Sequence, residues 1–349
     1  MDWQSERITS YRYMRVDRTT MRDVEELDMF LDGGTIEYND LSQIKAGGAL
    51  PYVWKPELNN DYIRVYAIHE QGTERLEALL GTFMTATASS LYNRQSRSGS
   101  VNLFSLLRIA QAVEIEEPLT VPAGTIALNY AMSMMLDLGL AVYADISSTK
   151  LTTNPTYDGG TTKLSIVNDL LSLIGFDSAE IDATGVVRMV EYTDPGNRTP
   201  SVVFRDDQPG CTFSPQVLHD LDESEVPNVF VARTSSNDVD LVARAVNNDP
   251  SSRFSTIKKG YEITRSEEVT DITTQQALDA YAKRRLTEMT SAVESIKIKH
   301  PEQPLEPGDG VRAIYTEADL DFTGVASDKL VKLTPAMVCD TTVRKFIRW

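Results

Sequence analysis

The 349-residue sequence has little cysteine and no long apolar run. Its two cysteines, Cys211 and Cys339, are too far apart in the chain to suggest a disulfide framework, which is compatible with a reducing compartment. The N-terminus lacks the apolar segment of a signal peptide. The most apolar region, residues 126–143, is interrupted by polar residues and falls short of a membrane span. These absences predict a soluble chain made in the cytoplasm, with no membrane span.

Positive charge is also scarce. The chain has 34 Lys and Arg against 51 Asp and Glu, which gives a formal net charge of −17. Sequence-specific binding to nucleic acid depends on clusters of Lys and Arg that hold phosphates. The acid excess therefore argues against a DNA-binding face, and solubility is its simplest explanation.

Groups suited to catalysis are few. The three histidines, His69, His219 and His300, lie near no nucleophile motif. The acidic segment 219–225 lacks the alternation and central glycine of a calcium loop, and the glycine pairs in segments 32–35 and 158–160 fit turns better than phosphate-binding loops. A catalytic carboxylate pair among the acidic residues stays open, but no residue is singled out. The sequence therefore predicts no catalytic residue, cofactor or metal.

The chain does contain two β-rich regions around a middle of mixed character. In the first region, residue types typical of strands predict strands at 77–92 and 98–102, joined by a loop at 94–97 and followed by a helix at 103–112. In the middle, apolar residues at helical spacing predict one helix that begins near Ile126 and ends at Gly139. The same spacing predicts a second helix that ends at Gly175.

The last region combines strands, turns and one helix. Ile296 and Ile298 alternate with lysines, which predicts a half-buried strand. A capping box at Thr273 and Gln276 predicts a helix that extends to Met289. Its predicted apolar face consists of Leu278, Tyr281, Ala282, Leu286 and Met289.

Three turns in the last region are predicted to have structural roles. Asp309 stands between two glycines after a proline, where an Asp side chain can bond to its own backbone and set the turn. The six residues expected to form these structural motifs are Pro227, Asn228, Gly260, Pro307, Gly308 and Asp309.

The order of several segments resembles that of tail hub proteins of tailed bacteriophages, a group related to contractile baseplate hubs and type VI spike bases. The segments are TVPAGT, LSIVNDLLSLIGFDSAEIDATGVVRMVEY, VPNVFVART, NNDPSSRFSTIKKGY, QALDAYAKRRL and LEPGDGVRAI. The resemblance covers most of the chain, from about residue 62 to residue 315.

The resemblance implies an α+β, β-rich fold with two tube-like β-barrel domains, an intervening small α/β domain and a helix-containing insertion. The first barrel is expected at residues 1–115, the α/β domain at 116–200 and the second barrel at 201–349. The polar insertion in the second barrel is expected around 236–290, with its helix packed on the barrel. The turn at 307–309 is expected to precede a barrel strand.

The implied function is that of a structural virion protein. Three chains would form a ring of six barrels that joins a sixfold tail tube to a threefold tail tip and surrounds the DNA-exit channel. The expected partners are further copies of the chain, a tail tube or distal tail protein, tail tip, spike or fibre proteins, and the tape measure protein, with DNA only in passage. No hydrolase domain is expected after the second barrel. The alternatives are a β-domain cell-wall glycan hydrolase or esterase and a carbohydrate-binding tail adhesin.

Overall fold

Strands dominate the computed structural model, and the protein is α+β and β-rich, as the sequence predicts. The model describes residues 1–3, 5–40, 42–53, 61–93, 96–193, 198–207, 213–221, 226–236, 239–269, 272, 275–291 and 294–345. Among these residues, no helix is both long enough and apolar enough to cross a membrane.

The described residues of the first β region form seven strands. They are β1 (Ile8–Val16), β2 (Asp23–Glu26), β3 (Gly34–Asn39), β4 (Ala46–Tyr52), β5 (Tyr62–Gln71), β6 (Glu74–Asn93) and β7 (Ser96–Ser105). The hydrogen-bonded order is β3-β4-β7-β6-β5-β1-β2. Because side chains alternate across a strand, one face of these strands supplies a common core that includes Ile36, Leu50, Ile63 and Leu103.

The hairpin β6–β7 confirms the two predicted strands but corrects their ends. β7 continues to Ser105, so the predicted helix start at residue 103 is wrong. Val101 and Leu103 are both buried on the same face of the strand, and this packing outweighs local helix propensity. The helix α1 (Leu107–Ala112) begins only after the strand ends. Residues 94–95 of the predicted loop lie outside the described residues.

The middle region contains short strands and two longer helices. Its elements after α1 are β8 (Leu119–Thr120), α2 (Ala127–Leu136), β9 (Val142–Ala144), β10 (Thr156–Tyr157), α3 (Lys163–Leu173), β11 (Glu180–Ile181) and β12 (Val187–Met189). Both predicted helices are confirmed. Thr162 caps α3 by accepting a hydrogen bond from the Ser165 amide at 3.2 Å, and Gly175 follows with φ of +78°. The core of this region also includes Val16 and Tyr62, so it packs on the first β region.

The second β region forms around a long strand. Its strands are β13 (Pro200–Arg205), β14 (Leu218–Leu221), β18 (Glu294–Pro301), β19 (Gly310–Tyr315), β20 (Leu320–Leu333) and β21 (Val338–Arg344), with a 3-10 turn at Thr316–Ala318. Their order is β14-β18-β21-β20-β19-β13. Phe204, Ile298, Val311 and Phe322 belong to its core. The predicted strand with Ile296 and Ile298 is confirmed as β18.

The described strands of the two β regions belong to one sheet of 13 strands, because β20 also pairs with β3. The path of pairings runs from β14 to β2 and does not return among the described strands. The Thr9 amide donates to the Pro335 carbonyl at 3.2 Å, so the start of β1 contacts the turn after β20 without extending the ladder. The two tube-like barrels expected from the resemblance are therefore not confirmed as closed barrels, and the division into domains stays a prediction.

The segment that holds the insertion expected around 236–290 begins earlier, at residue 229, and has a sheet and a core of its own. We keep the name insertion for residues 229–291. It contains β15 (Val229–Ser236), β16 (Val239–Val246), α4 (Thr256–Lys259), β17 (Thr264–Glu268) and α5 (Gln275–Ser291). The predicted helix is confirmed as α5, although Thr273 lies outside the described residues. Its predicted packing on the second barrel is wrong. Leu278, Ala282 and Leu286 instead pack with Phe230, Ala232 and Ala243 of β15 and β16, because that sheet supplies the matching apolar face.

Candidate functional site

The Pro307–Asp309 turn joins β19 to the rest of the second β region. Gly308 has φ of +93°, a left-handed conformation that favours glycine. The Asp309 carboxylate accepts a hydrogen bond from the Glu306 amide at 2.9 Å, and the Asp309 amide donates to the Glu306 carbonyl at 3.1 Å. The side chain of Asp309 thus accepts a hydrogen bond from the backbone of its own turn. The structural role expected of this residue stays a prediction.

Backbone hydrogen bonds fix this turn against its neighbours. The Gly308 amide donates to the Ala326 carbonyl at 2.7 Å, and the Ala326 amide donates to the Asp309 carbonyl at 2.9 Å. The Arg198 guanidinium donates to the Gly308 carbonyl from the segment that precedes β13. The turn therefore connects β19, β20 and the entry to β13.

The other three predicted motif residues lie together in the insertion and directly before it. Asn228 is fully buried, accepts from the Ile263 amide at 2.7 Å and donates from its side chain to the Tyr261 carbonyl at 2.9 Å. Gly260 ends α4 with φ of +75°, and buried Pro227 precedes Asn228. These contacts hold β15 beside β17. The six motif residues thus occupy two places, one at the insertion and one at the Pro307–Asp309 turn.

A buried ion pair that sequence reasoning missed lies near the Pro307–Asp309 turn. Lys329, only 5% exposed, places its ammonium 2.8 Å from the Glu302 carboxylate and donates to the Leu305 carbonyl at 2.7 Å. The second Glu302 oxygen accepts from the Cys339 thiol at 2.8 Å. One sequence signal could have revealed this pair. Lys329 occupies the face of β20 that Val331 and Leu333 also occupy, so the two-residue alternation places a charge among core residues.

The N-terminal segment packs beside the Lys329–Glu302 ion pair. Arg7 donates to the Glu302 backbone carbonyl and to the Trp3 carbonyl, and the Gln303 side chain donates to the Trp3 carbonyl at 3.0 Å. The Trp3 ring meets His69 edge-on, with 5.3 Å between centroids. A cleft of about 450 Å³ lies beside it, between these residues and the Pro307–Asp309 turn.

Cys339 and His300 are register partners on β21 and β18, but their side chains do not form a nucleophile–base pair. The Cys339 thiol donates to Glu302, and burial raises the pKa of that thiol, which disfavours the reactive thiolate. The His300 ring bonds the Thr341 hydroxyl at 2.8 Å and the Pro301 carbonyl at 2.7 Å, and burial lowers its pKa to about 4.

The two other histidines also have neighbours in the fold. The Nδ1 atom of His69 lies 3.0 Å from the Thr9 hydroxyl, and burial lowers its pKa. His219 lies 3.1 Å from Glu294 on the neighbouring strand. Over the described parts of the chain, no three His, Cys, Asp or Glu residues are grouped in a way that could hold a metal. Cys211 and residues 222–225 of the acidic segment lie outside those parts.

Comparisons with known proteins identify the fold. No protein-family model and no curated protein matches the sequence. Among solved structures, a tail protein from Neisseria meningitidis MC58 has a TM-score of 0.71 at 14% identity, covering 98% of this chain and 97% of the other. The 43 kDa tail protein of prophage MuSo2 from Shewanella oneidensis has a TM-score of 0.65 at 10% identity, covering 95% of this chain and 97% of the other.

A type VI secretion component is also similar in structure. The E. coli c3393 protein, described as structurally similar to the T4 bacteriophage tail proteins gp27 and gp5, has a TM-score of 0.50 at 11% identity, covering 93% of this chain and 75% of the other. The chain therefore has the fold of phage tail and baseplate hub proteins. This confirms, at the level of the fold, the relation that the order of the sequence motifs predicts.

Proposed function

We propose that the chain is a structural virion protein, the homotrimeric hub of a phage tail. The observation that carries the proposal is the fold match along almost the whole length of both chains, to proteins that are themselves tail proteins. A match of this extent leaves no large part of the chain that would need a separate function. We infer no reaction, in line with the engagement of Cys339 and His300 in structural hydrogen bonds.

The two β cores support two tube-like units per chain. One core gathers residues from β1, β3 to β7, β20 and β21, and the other gathers residues from β13 and β18 to β21. Each core thus collects side chains from strands far apart in the sheet, as wrapped sheets do. We assign residues 1–115 and 201–349 to these units and residues 116–200 to the α/β domain between them, with the insertion in the second unit.

Three copies would place six such units around a channel. Heterologous contacts close into a ring when the rotation between copies returns on itself. Such a ring would match a sixfold tail tube or distal tail protein on one side and a threefold tip, spike or fibre on the other. The tape measure protein and DNA would pass through its channel. Assembly would take place in the host cytoplasm before incorporation into the tail.

Stoichiometry tests this proposal. Native mass spectrometry of the purified protein over a range of concentrations is expected to show a species of three times the 38.8 kDa chain mass. Quantitative mass spectrometry of purified particles should find three copies per tail. A chain that is monomeric at every concentration and absent from the particles would contradict the proposal. Hydrolysis of purified cell-wall glycan by the protein would instead support the enzyme alternative.

A further inference from the structure

The cleft of about 450 Å³ beside Trp3 opens from the core of the first β region. We call it the turn cleft, because Pro307 and Asp309 form part of its wall. Phe83 and Val331 belong both to the lining of the cleft and to that core. Its volume is within the range of sites that hold small ligands or the anchoring side chains of a partner. The core of the first β region thus ends in an open space at this place.

We propose that the turn cleft binds an extended segment of another protein in which apolar side chains alternate with lysine or arginine. The apolar side chains would enter the cleft, and the cations would meet the carboxylates that line it. The proposal concerns a binding site only and goes beyond the tail-hub function, so it holds whether or not the chain forms a hub.

Apolar side chains from separate parts of the chain form much of the cleft wall. Leu76 and Leu80 belong to β6, Ile181 belongs to β11, and Leu305 lies just before the Pro307–Asp309 turn. Leu76 is 40% exposed, which leaves a large apolar side chain in contact with water at this site. Covering such a surface with the apolar atoms of a partner is favourable. The lining therefore suits a partner with Leu-like side chains.

The charged groups that line the cleft are mainly acidic. Lys329 and Glu302 neutralise one another, with 2.8 Å between ammonium and carboxylate. Burial lowers the pKa of His69, so its ring adds no charge at neutral pH. One further cation, Lys45, faces five carboxylates of the lining, which are Asp40, Glu180, Asp182, Glu306 and Asp309. A basic partner complements this distribution of charge.

Two arginines contact residues around the cleft without lining it. Arg7 donates to the carbonyls of Trp3 and Glu302, and Arg198 donates to the carbonyl of Gly308. Even with both arginines included, the five carboxylates exceed the three cations. An acidic lining repels phosphates, which favours a basic peptide over a nucleic acid as the occupant.

Two of the carboxylates are best placed to receive a partner's cations. Glu180 is half-buried and Glu306 is exposed, and among the described residues neither lies within ion-pair distance of a cation. Burial raises the pKa of the Glu180 carboxyl, and the charges of Asp40 and Glu306 add to this effect while Lys45 opposes it. A cation supplied by a partner would stabilise the ionised carboxylate that burial disfavours.

Fluorescence anisotropy at physiological salt tests the proposal with a labelled peptide in which Leu alternates with Lys. Salt matters here, because a chain of net charge −17 attracts any basic peptide at low ionic strength. The same peptide with Ser in place of Leu keeps the charge, and a version with Gln in place of Lys keeps the apolar side chains. Saturable binding of the Leu–Lys peptide alone is expected. Glu180→Gln with Glu306→Gln should weaken it by about fivefold or more.

Matched variants separate the cleft from the overall charge and from exposed leucines in general. Glu37→Gln with Glu117→Gln removes the same charge from exposed positions outside the cleft and should change the dissociation constant by less than about twofold. Leu76→Ser should weaken binding by about threefold or more, because apolar contact is lost. Leu31→Ser, at a leucine outside the cleft that is 45% exposed, should leave binding unchanged.

Three outcomes would overturn the proposal. They are no saturable binding of the Leu–Lys peptide to the wild-type protein, equally tight binding of the Ser–Lys peptide, and equal weakening in the cleft variants and their controls. The second result would show that charge alone attracts the peptide. A trimer that binds no such peptide would leave the tail-hub proposal standing, so the two proposals fail separately.

Discussion

The carboxylate of Glu302 shows how a single residue links the parts of this fold. One carboxylate oxygen accepts a hydrogen bond from Lys329 and the other accepts one from Cys339. The backbone carbonyl of Glu302 accepts a hydrogen bond from Arg7 in the N-terminal segment. Removing one member of a buried pair leaves the other as an uncompensated charge, which costs more than the pair contributes. The N-terminal segment, β20 and β21 therefore depend on one another at this point.

The role of Asp309 can be tested by two substitutions at that position. Asp309→Ala removes the acceptor for the Glu306 amide and should lower the free energy of unfolding by about 1–2 kcal/mol. Asp309→Asn keeps an acceptor oxygen and should lower it by less than about 0.5 kcal/mol. Urea unfolding followed by circular dichroism provides both values. Equal effects of the two substitutions would show that the hydrogen bond does not stabilise the turn.

His300 should make the protein less stable in mild acid. Its pKa falls from 6.5 to about 4 on folding, so between these values the unfolded chain binds a proton that the native chain does not. Its contribution is fully present above pH 6.5 and is lost as the pH falls toward 4. His300→Gln should remove about 3 kcal/mol of this pH-dependent stability.

Urea titrations at several pH values measure this effect as the difference between wild type and variant. His219→Gln, at a partly exposed site, controls for the loss of one imidazole. If His300→Gln leaves the slope of stability against pH unchanged, the buried neutral ring is not its source.

At the scale of elements, helix α5 buries its apolar face against the sheet of the insertion. Leu286 is fully buried between the helix and the three-stranded sheet of the insertion. Leu286→Asp would bury an unpaired carboxylate there and should cost about 3 kcal/mol or more, or release the helix from the sheet. Ala280→Asp, on the exposed side of the same helix, controls for the change in charge and helix propensity.

Limited proteolysis and thermal unfolding distinguish the two variants. Faster cleavage in the insertion is expected for Leu286→Asp alone. A Leu286→Asp protein as stable and as resistant to protease as Ala280→Asp would mean that the helix is not docked on the sheet.

The elements also show which parts of the fold the sequence can predict. The spacing of Leu278, Ala282 and Leu286 is a local signal, so it predicts the helix and its buried face. The sheet beneath the helix is not a local property, since β15 and β16 come from earlier in the chain. The Lys329–Glu302 pair is even harder to predict from the sequence. Only the position of Lys329 in the alternation of buried residues along β20 distinguishes it from a surface lysine.

At the scale of the whole molecule, β20 connects the two β regions. It pairs with β19 and β21 in its own region and with β3 across almost the full length of the chain. Pairings of such separation leave no local pattern, so the continuous sheet could not be predicted from the sequence. The sheet links the two β regions directly, which makes their relative position part of the fold.

The acid excess yields a prediction about the channel of the proposed ring. A lining rich in Lys and Arg would hold phosphates and slow the passage of DNA, whereas a neutral or acidic lining would not. We therefore expect a net acidic bore without cation clusters, and the purified protein should not retard duplex DNA in a gel-shift assay at physiological salt. Tight binding to duplex DNA, or a ring of arginines facing the axis, would contradict this expectation.

The most direct test of the central claim is a three-dimensional electron cryo-microscopy reconstruction of the assembled protein, either purified or within isolated tails. The account predicts a closed ring of three chains in which two tube-like β units from each chain surround one channel with approximate sixfold symmetry. A reconstruction with another number of chains, or one in which only a single β unit of each chain faces the channel, would contradict it.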